Sequence, residues 1–228
     1  MVISRDMVLS WLRNYAQVIN AQKDYLVQLD QAIGDGDHGA NMDRGMMYVL
    51  SKMGSVEDKD LGTIFKTVGM TLVSTVGGAS GPLYGTFFMQ MGTTCADKVE
   101  LTLEEWYAAL ESAMGGVVMR GKAQVGDKTM IDALSPALEA LQKAIAESVA
   151  LPQALEAAAA AAEKGCQDTI PLVARKGRAS YLGERSAGHQ DPGATSMSML
   201  MRAAVDGGTA DHLVALPTDE HHLVADVH

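Results

Sequence analysis

A chain of 228 residues with 47% hydrophobic but only 5% aromatic content can bury one full core, and its wealth of Ala, Leu, Met and Val favours helix over sheet. The formal net charge of −10 excludes the basic footprint that a nucleic-acid surface needs. The two cysteines, Cys95 and Cys166, lie far apart and signal neither a disulfide scaffold nor a zinc site, and no apolar run approaches the length of a membrane span.

The opening segment, Met1 to Asn14, is amphipathic and carries Arg5, Asp6 and Arg13 with no apolar h-region, so the expected compartment is the cytoplasm. Val8, Trp11, Leu12, Tyr15, Ile19, Leu26 and Leu29 recur at helical spacing and predict a first helix that runs into a glycine-carboxylate loop. A second helix is expected from about His38 to Met53. Asp58-Lys59-Asp60 opens a third, with Leu61, Ile64, Phe65, Val68 and Leu72 on one face. The Gly77–Pro82 segment breaks the pattern and starts a fourth, ending near Ala96. Thr102-Leu103-Glu104-Glu105 has the cap and charge signature of a fifth helix, ending near Arg120. After a loop from Gly121 to Met130, a sixth helix runs from about Ile131 to Ser148 despite Pro136. Pro152 opens a seventh, which the run Ala157–Ala162 keeps helical to about Ile170. A polar loop from Arg175 to Asp191 precedes an eighth helix that opens at Pro192-Gly193. No stretch alternates convincingly with period two, so the expectation is an all-α fold of eight helices. Residues 1–204 read as a single domain. Residues 205–228, which hold four of the six histidines and repeat His-Leu-Val-Ala, read as a poorly ordered tail.

Three stretches could carry chemistry. In Leu29–Asn41 the carboxylates Asp30, Asp35 and Asp37 fall within eight residues, interleaved with Gly34, Gly36 and Gly39. Glycine lets such a loop fold tightly, which would bring the three side chains together. Two like charges about 4 Å apart repel by roughly 4 kcal/mol at an effective dielectric near 20. The carboxylates therefore either splay into water as a polar turn or hold a hard cation such as magnesium or calcium. The glycines formally spell the dinucleotide fingerprint, but a helix precedes them and two Asp side chains fill the cradle. A calcium-loop reading fails because Met46 stands where the bidentate Glu belongs. The second stretch, Gly77–Pro82, turns small residues into a helix start, which suits either an anion or close helix packing. It lacks the Gly-Lys-Ser/Thr of a P-loop. The third, Ala174–Thr195, concentrates four of the 18 basic residues between Arg175 and Arg185, as a solvated charge run or a loop reaching over a phosphate. Lys122, Asp127 and Lys128 are either functional or merely exposed. No nucleophile constellation stands out, and the combination points to a magnesium-dependent nucleotide or phosphate binder.

Four motifs go further. Leu29–Asn41 (LDQAIGDGDHGAN), Gly69–Phe87 (GMTLVSTVGGASGPLYGTF), Gly121–Thr129 (GKAQVGDKT) and Gly177–Thr195 (GRASYLGERSAGHQDPGAT) closely resemble the nucleotide-binding L subunit of dihydroxyacetone kinases, in the family's order and spacing. The likeness runs from about Ser4 to Arg202, and the tail beyond departs from it. The resemblance implies a barrel of eight antiparallel helices with the nucleotide, ADP or ATP, at one end. It implies that Asp30, Asp35 and Asp37 hold two magnesium ions, and that His38, Gly39, Ala40, Asn41, Gly78, Ala79, Ser80, Leu83, Gly121, Met130, Arg178, Asp191, Pro192 and Gly193 line the pocket. No covalent nucleophile is implied on this chain, since in the family a histidine of a separate K subunit or domain binds the ketone.

The family works in two modes: ATP exchanges in fused kinases, whereas a free-standing L chain keeps ADP as a coenzyme recharged by a phosphohistidine on an M subunit. The free-standing chain and its Arg175–Asp191 loop fit the second mode better. The rival readings are an ATP-exchanging subunit, the related nucleotide domain of fatty-acid kinases, and a non-enzymatic module whose ADP-bound form binds a transcription regulator. No membrane or nucleic-acid partner is expected.

Overall fold

Ser4 starts the helical part of the chain: its side-chain oxygen accepts the Met7 N–H at 3.2 Å, and α1 (Arg5–Ala21) follows. The computed structural model describes residues 2–207. Within them the chain is almost wholly helical, as composition and periodicity imply, but the expected first helix is broken. At Gln22 the backbone leaves helical geometry (φ −100°, ψ 9°), and α2 (Lys23–Ile33) sets off separately. Neither Gly nor Pro marks that break, and the apolar spacing runs through it unchanged. The described residues therefore hold nine α-helices rather than eight, and a 3-10 helix besides.

The remaining boundaries lie close to the expected ones: α3 (His38–Met53), α4 (Leu61–Thr75), α5 (Ser80–Thr94), α6 (Leu103–Gly121), α7 (Ile131–Ala146), α8 (Leu151–Gln167) and α9 (Pro192–Gly207). Their causes are local. Asp60 caps α4 by accepting the Thr63 N–H, and Thr102 and Glu105 form a reciprocal capping box on α6. Pro136 inside α7 leaves the Asp132 carbonyl without its usual helical donor. Gly165 of α8 packs on that carbonyl, where an added Cβ would lie 2.2 Å from the oxygen. Two strands that the sequence reading did not foresee, β1 (Ile3–Ser4) and β2 (Glu100–Leu101), pair antiparallel. At two residues each they are too short to show alternation.

Consecutive helices from α3 to α9 pack on one another, α9 returns to α1, and α1 also meets α3, which closes a ring; α2 lies against α3 and α9. Trp11, Phe65, Phe88 and Trp106 fill one part of the core, with the two indoles edge-to-face at 4.9 Å between centroids. Trp11 also donates its indole N–H to the Leu200 carbonyl at 2.8 Å, tying α1 to α9. Helices α4 and α5 meet through small residues: a Cβ at Gly69 would lie 2.7 Å from the Gly85 carbonyl oxygen. Among the described residues no helix is long and apolar enough to cross a membrane. Residues 205–207 continue α9, while the rest of the expected tail lies outside the described residues.

Candidate functional site

The carboxylate loop is shaped by the end of α2. The Gly34 N–H closes on the Asp30 carbonyl, and a Cβ at Gly34 would sit 2.2 Å from Asp30 Oδ1, so a larger residue would displace that carboxylate. Gly36 follows at φ +76°, a left-handed conformation that glycine takes without penalty. The chain then turns back so that Asp30 Oδ2 accepts the N–H groups of Asp37 at 2.9 Å and His38 at 3.1 Å. The result is convergence, because one oxygen from each of Asp30, Asp35 and Asp37 lies within 4.8 Å of the others. Asp30 is buried and the other two are exposed to the cleft.

The electrostatics of the cluster favour a cation. Burial, followed by the charges of Asp35 and Asp37, pushes the Asp30 carboxyl up, while the two backbone N–H groups hold it down. Among the described residues the one basic side chain paired with the three is Arg178, whose Nε stands 3.0 Å from Asp35 Oδ2. An all-oxygen set of three carboxylates, one of them rigidly held, suits a hard divalent ion such as magnesium.

The cluster opens into a cleft of about 430 Å³, within the range of small-molecule sites. His38, Ser80, Ile131 and Pro192, the first residues of α3, α5, α7 and α9, all border it, so four helix N-termini face one space. Their amide groups and dipoles favour negative charge. Gly121, at the end of α6, borders it as well. Of the residues named from sequence, Asp30, Asp35, Asp37, His38, Gly78, Ala79, Ser80, Leu83, Gly121, Met130, Arg178, Asp191, Pro192 and Gly193 all line the cleft. Gly39, Ala40 and Asn41 do not. Gly39 is packed against the backbone of α2, Ala40 is exposed, and Asn41 accepts a hydrogen bond from Arg44 at 2.6 Å.

Behind the lining runs a buried polar chain. His38 Nδ1 lies 3.0 Å from Ser80 Oγ and Nε2 lies 2.8 Å from Ser196 Oγ. Ser196 Oγ is 2.7 Å from the Tyr84 hydroxyl, and Tyr15 donates to the Ser196 carbonyl at 3.2 Å. Burial lowers His38 to about 4, so the imidazole is neutral at physiological pH and serves as a fixed hydrogen-bonding link. Sequence reasoning named Ser80 and His38 but missed Ser196 and Tyr84. Their contacts span 158 and 112 positions, beyond the reach of any local pattern.

The basic loop folds over the same cleft. Residues Arg178–Ser186 form the 3-10 segment, kinked at Gly183 (φ +55°), and Lys176 to Ala179 border the opening. Asp191 closes the loop by capping α9, accepting the Ala194 N–H at 2.7 Å. Burial raises its carboxyl to about 7, and the charges of Asp132 and Asp30 add to that against the Ala194 N–H and Lys128. Of the three charged residues left open in the 121–130 loop, Lys122 is exposed, whereas Asp127 and Lys128 are buried.

The DAK2 domain model matches residues 32–206. The chain is 49% identical, over 89% of its length and 96% of the relative's, to the PEP-dependent dihydroxyacetone kinase, ADP-binding subunit DhaL, of Escherichia coli (strain K12). It is 43% identical to the PTS-dependent dihydroxyacetone kinase, ADP-binding subunit DhaL, of Lactococcus lactis subsp. lactis (strain IL1403), over 90% of this chain and 98% of that one. Among solved structures it resembles the dihydroxyacetone kinase from C. freundii in complex with AMP-PNP and Mg2+, with a TM-score of 0.64 and 28% identity over 86% of this chain. There it spans 33% of the larger protein's length. The chain belongs to the DAK2 domain family, together with the ADP-binding subunits of dihydroxyacetone kinases.

Proposed function

We propose that this chain is the ADP-binding subunit of a phosphotransferase-linked dihydroxyacetone kinase. It holds magnesium and ADP as a fixed coenzyme, receives a phosphoryl group from a phosphohistidine on a carrier (M) subunit, and passes it to dihydroxyacetone on a K subunit. The observation that carries this reading is the convergence of Asp30, Asp35 and Asp37 in a cleft faced by four helix N-termini. The 49% identity to the ADP-binding subunit of a PEP-dependent kinase, against 28% to the C. freundii kinase, supports the fixed-coenzyme mode over an exchanging one. We place the assembly in the cytoplasm.

When bound, two magnesium ions supply positive charge that offsets the phosphates and orients them for transfer. The chain's own residues position. Asp30 is held by two N–H groups and, with Asp35 and Asp37, forms the cation-binding face. The helix starts at His38, Gly78–Ser80 and Asp191–Gly193 direct their dipoles at the nucleotide, and Leu83, Gly121 and Met130 offer apolar walls. Arg178 reaches over the carboxylates as a positive charge for the transferring phosphoryl group. No residue here forms a covalent intermediate; the ketone and its histidine belong to the partner. The closed ring of α1 and α3–α9, with α3, α5, α7 and α9 starting at the cleft and α6 ending there, supports an eight-helix antiparallel barrel within a domain of residues 1–204. The same face would serve an ADP-dependent contact with a transcription regulator, which a pull-down with loaded and stripped protein would reveal.

The test is to denature the purified protein and quantify released nucleotide and magnesium. Near-stoichiometric ADP surviving extensive dialysis is expected. Little nucleotide, but binding of added Mg-ATP, would replace the fixed coenzyme with an exchanging substrate. Failure to bind either nucleotide in the presence of magnesium would overturn the reading.

A further inference from the structure

Lys128 is the least expected charge in the molecule. Its residue is only 1% exposed, and among the described residues no carboxylate touches its ammonium group. Five backbone carbonyls surround Nζ instead: Thr169 at 2.9 Å, Ile170 at 3.4 Å, Leu172 at 3.0 Å, Ser186 at 2.8 Å and His189 at 2.5 Å. The first three belong to the turn beyond α8, where carbonyls have no helical donor left and a cation is favoured. The other two belong to the return leg of the 3-10 loop. This irregular backbone sends carbonyls inward: Thr169 also accepts the Leu172 N–H at 3.1 Å and Ile170 the Gly188 N–H at 2.7 Å, but those of Leu172, Ser186 and His189 meet no backbone N–H among the described residues, and each would be costly to bury unpaired. The three N–H groups of the ammonium match these three carbonyls in number. Lys128 itself adopts φ +65°, an uncommon state for a side chain other than glycine, so the backbone accepts strain to deliver the group.

The loop feet join at the same place. Arg175 N–H donates to the Asp127 carbonyl at 3.1 Å, Ala174 N–H to Ser186 Oγ at 2.8 Å, and Asp191 N–H to Thr169 Oγ1 at 3.0 Å. Arg178 and Asp191–Gly193, which border the cleft, are carried on the backbone so anchored.

We propose that Lys128 is a positioning residue: its ammonium latches the 171–190 loop from beneath, sets Arg178 and Asp191 at the cleft, and thereby controls how slowly the nucleotide leaves. The retention half rests on the ADP-binding function proposed above; the latch itself does not. Lys128 borders the cleft, but its ammonium is spent on the loop carbonyls, so the charge acts through the loop.

The test compares the wild-type chain with Lys128→Ala for ADP release and for amide hydrogen exchange across residues 171–190. In Lys128→Ala the loop amides exchange faster and ADP leaves at least about tenfold faster, the equivalent of 1.4 kcal/mol. Added n-propylammonium, the fragment the substitution deletes, restores both, whereas n-propanol restores neither. A purely packing role would respond to both additives, and that result overturns the proposal, as does unchanged loop exchange. Unchanged ADP release overturns the retention half. If the wild-type chain carries no adenine nucleotide, the function reading and the retention half fall together, and the exchange comparison still decides the latch. Should Lys128→Ala fail to fold, Lys128→Met serves in its place, because it keeps a buried aliphatic stem and removes the ammonium that holds the loop carbonyls. Faster loop exchange and ADP release are expected there too, and wild-type values for both would overturn the proposal.

Discussion

Arg178 Nε stands 3.0 Å from Asp35 Oδ2, joining the loop over the cleft to the carboxylate cluster beneath it. The pair is more than a surface contact, because Asp35 is one of three converging carboxylates and Arg178 is the cation placed beside them. Its arginine is 69% exposed, so the pair contributes little to folding, on the order of 0–1 kcal/mol. Its value lies in where it puts positive charge. Replacing Arg178 by Ala is therefore expected to leave thermal unfolding of the stripped protein unchanged while weakening nucleotide retention by about tenfold, since a hydrogen bond from a charged group contributes roughly 1.5–3 kcal/mol. Stopped-flow release of a fluorescent ADP analogue measures this. Release at the wild-type rate would remove Arg178 from the site.

The three carboxylates are not equivalent, and substitution should separate them. Asp35 and Asp37 are exposed, so Asp35→Ala or Asp37→Ala should abolish magnesium and nucleotide binding without lowering the stability of the stripped protein. Asp30 also holds the N–H groups of Asp37 and His38. Asp30→Asn keeps an oxygen for them and loses the charge, whereas Asp30→Ala orphans both donors. The alanine variant should be less stable than the asparagine variant by about 1–3 kcal/mol, with metal binding lost in both. Chemical denaturation paired with magnesium titration calorimetry reads both effects. Equal stability of the two Asp30 variants would mean the loop does not depend on that acceptor.

Local chemistry was legible in the sequence, and distant chemistry was not. The loop around Asp30–Asp37, the capping box at Thr102 and Glu105, and the helix starts at Ser80 and Pro192 depend on residues within a few positions of each other. Short patterns reveal such features. The break at Gln22 left no mark, because the apolar residues on both sides keep helical spacing and no Gly or Pro intervenes. Ser196 looked like an ordinary helix residue until the fold set it against His38 and Tyr84. Lys128 could be read only as either functional or merely exposed, since a cage of backbone carbonyls has no side-chain signature at all. Gly39 to Asn41 sit in the motif beside His38 but turn away from the cleft, because successive residues of a helix point in different directions.

The α4–α5 contact predicts opposite outcomes for two glycine substitutions. At Gly69 a Cβ would meet the Gly85 carbonyl oxygen at 2.7 Å and the Met89 nitrogen at 2.9 Å, and backbone atoms cannot step aside as a side-chain tip can. Gly69→Ala should force the helices apart and cost about 1–3 kcal/mol. Gly115, exposed in the middle of α6, has nothing within 4 Å of such a Cβ. There the alanine should stabilise by about 0.4–1 kcal/mol through its better helix propensity and the smaller entropy of the unfolded chain. Thermal melts of the two variants measure the contrast, and a neutral Gly69→Ala would contradict the close packing of α4 on α5.

Asp191 should give the stripped protein a characteristic pH dependence. Its ordinary value of 3.8 is raised to about 7 in the fold, chiefly by burial. A group whose folded value lies above its unfolded one binds its proton more tightly in the native state. Its contribution is therefore fully present below the unfolded value and is lost as pH rises from about 3.8 to about 7. The change is on the order of a few kcal/mol. His38 acts in the opposite sense: its value falls from 6.5 to about 4, so its contribution is full above 6.5 and lost as pH drops toward 4. Asp191→Asn keeps an oxygen to cap α9 and removes only the carboxyl titration, so subtracting variant from wild type isolates Asp191 from His38 and from Asp30. Urea unfolding at pH 5 and pH 7.5 (values chosen within about the span of ordinary carboxyl and imidazole titration) should show the wild type losing stability relative to Asp191→Asn as pH rises. Parallel profiles would mean that Asp191 titrates as it does in the unfolded chain, and that burial beside the cleft does not govern its charge.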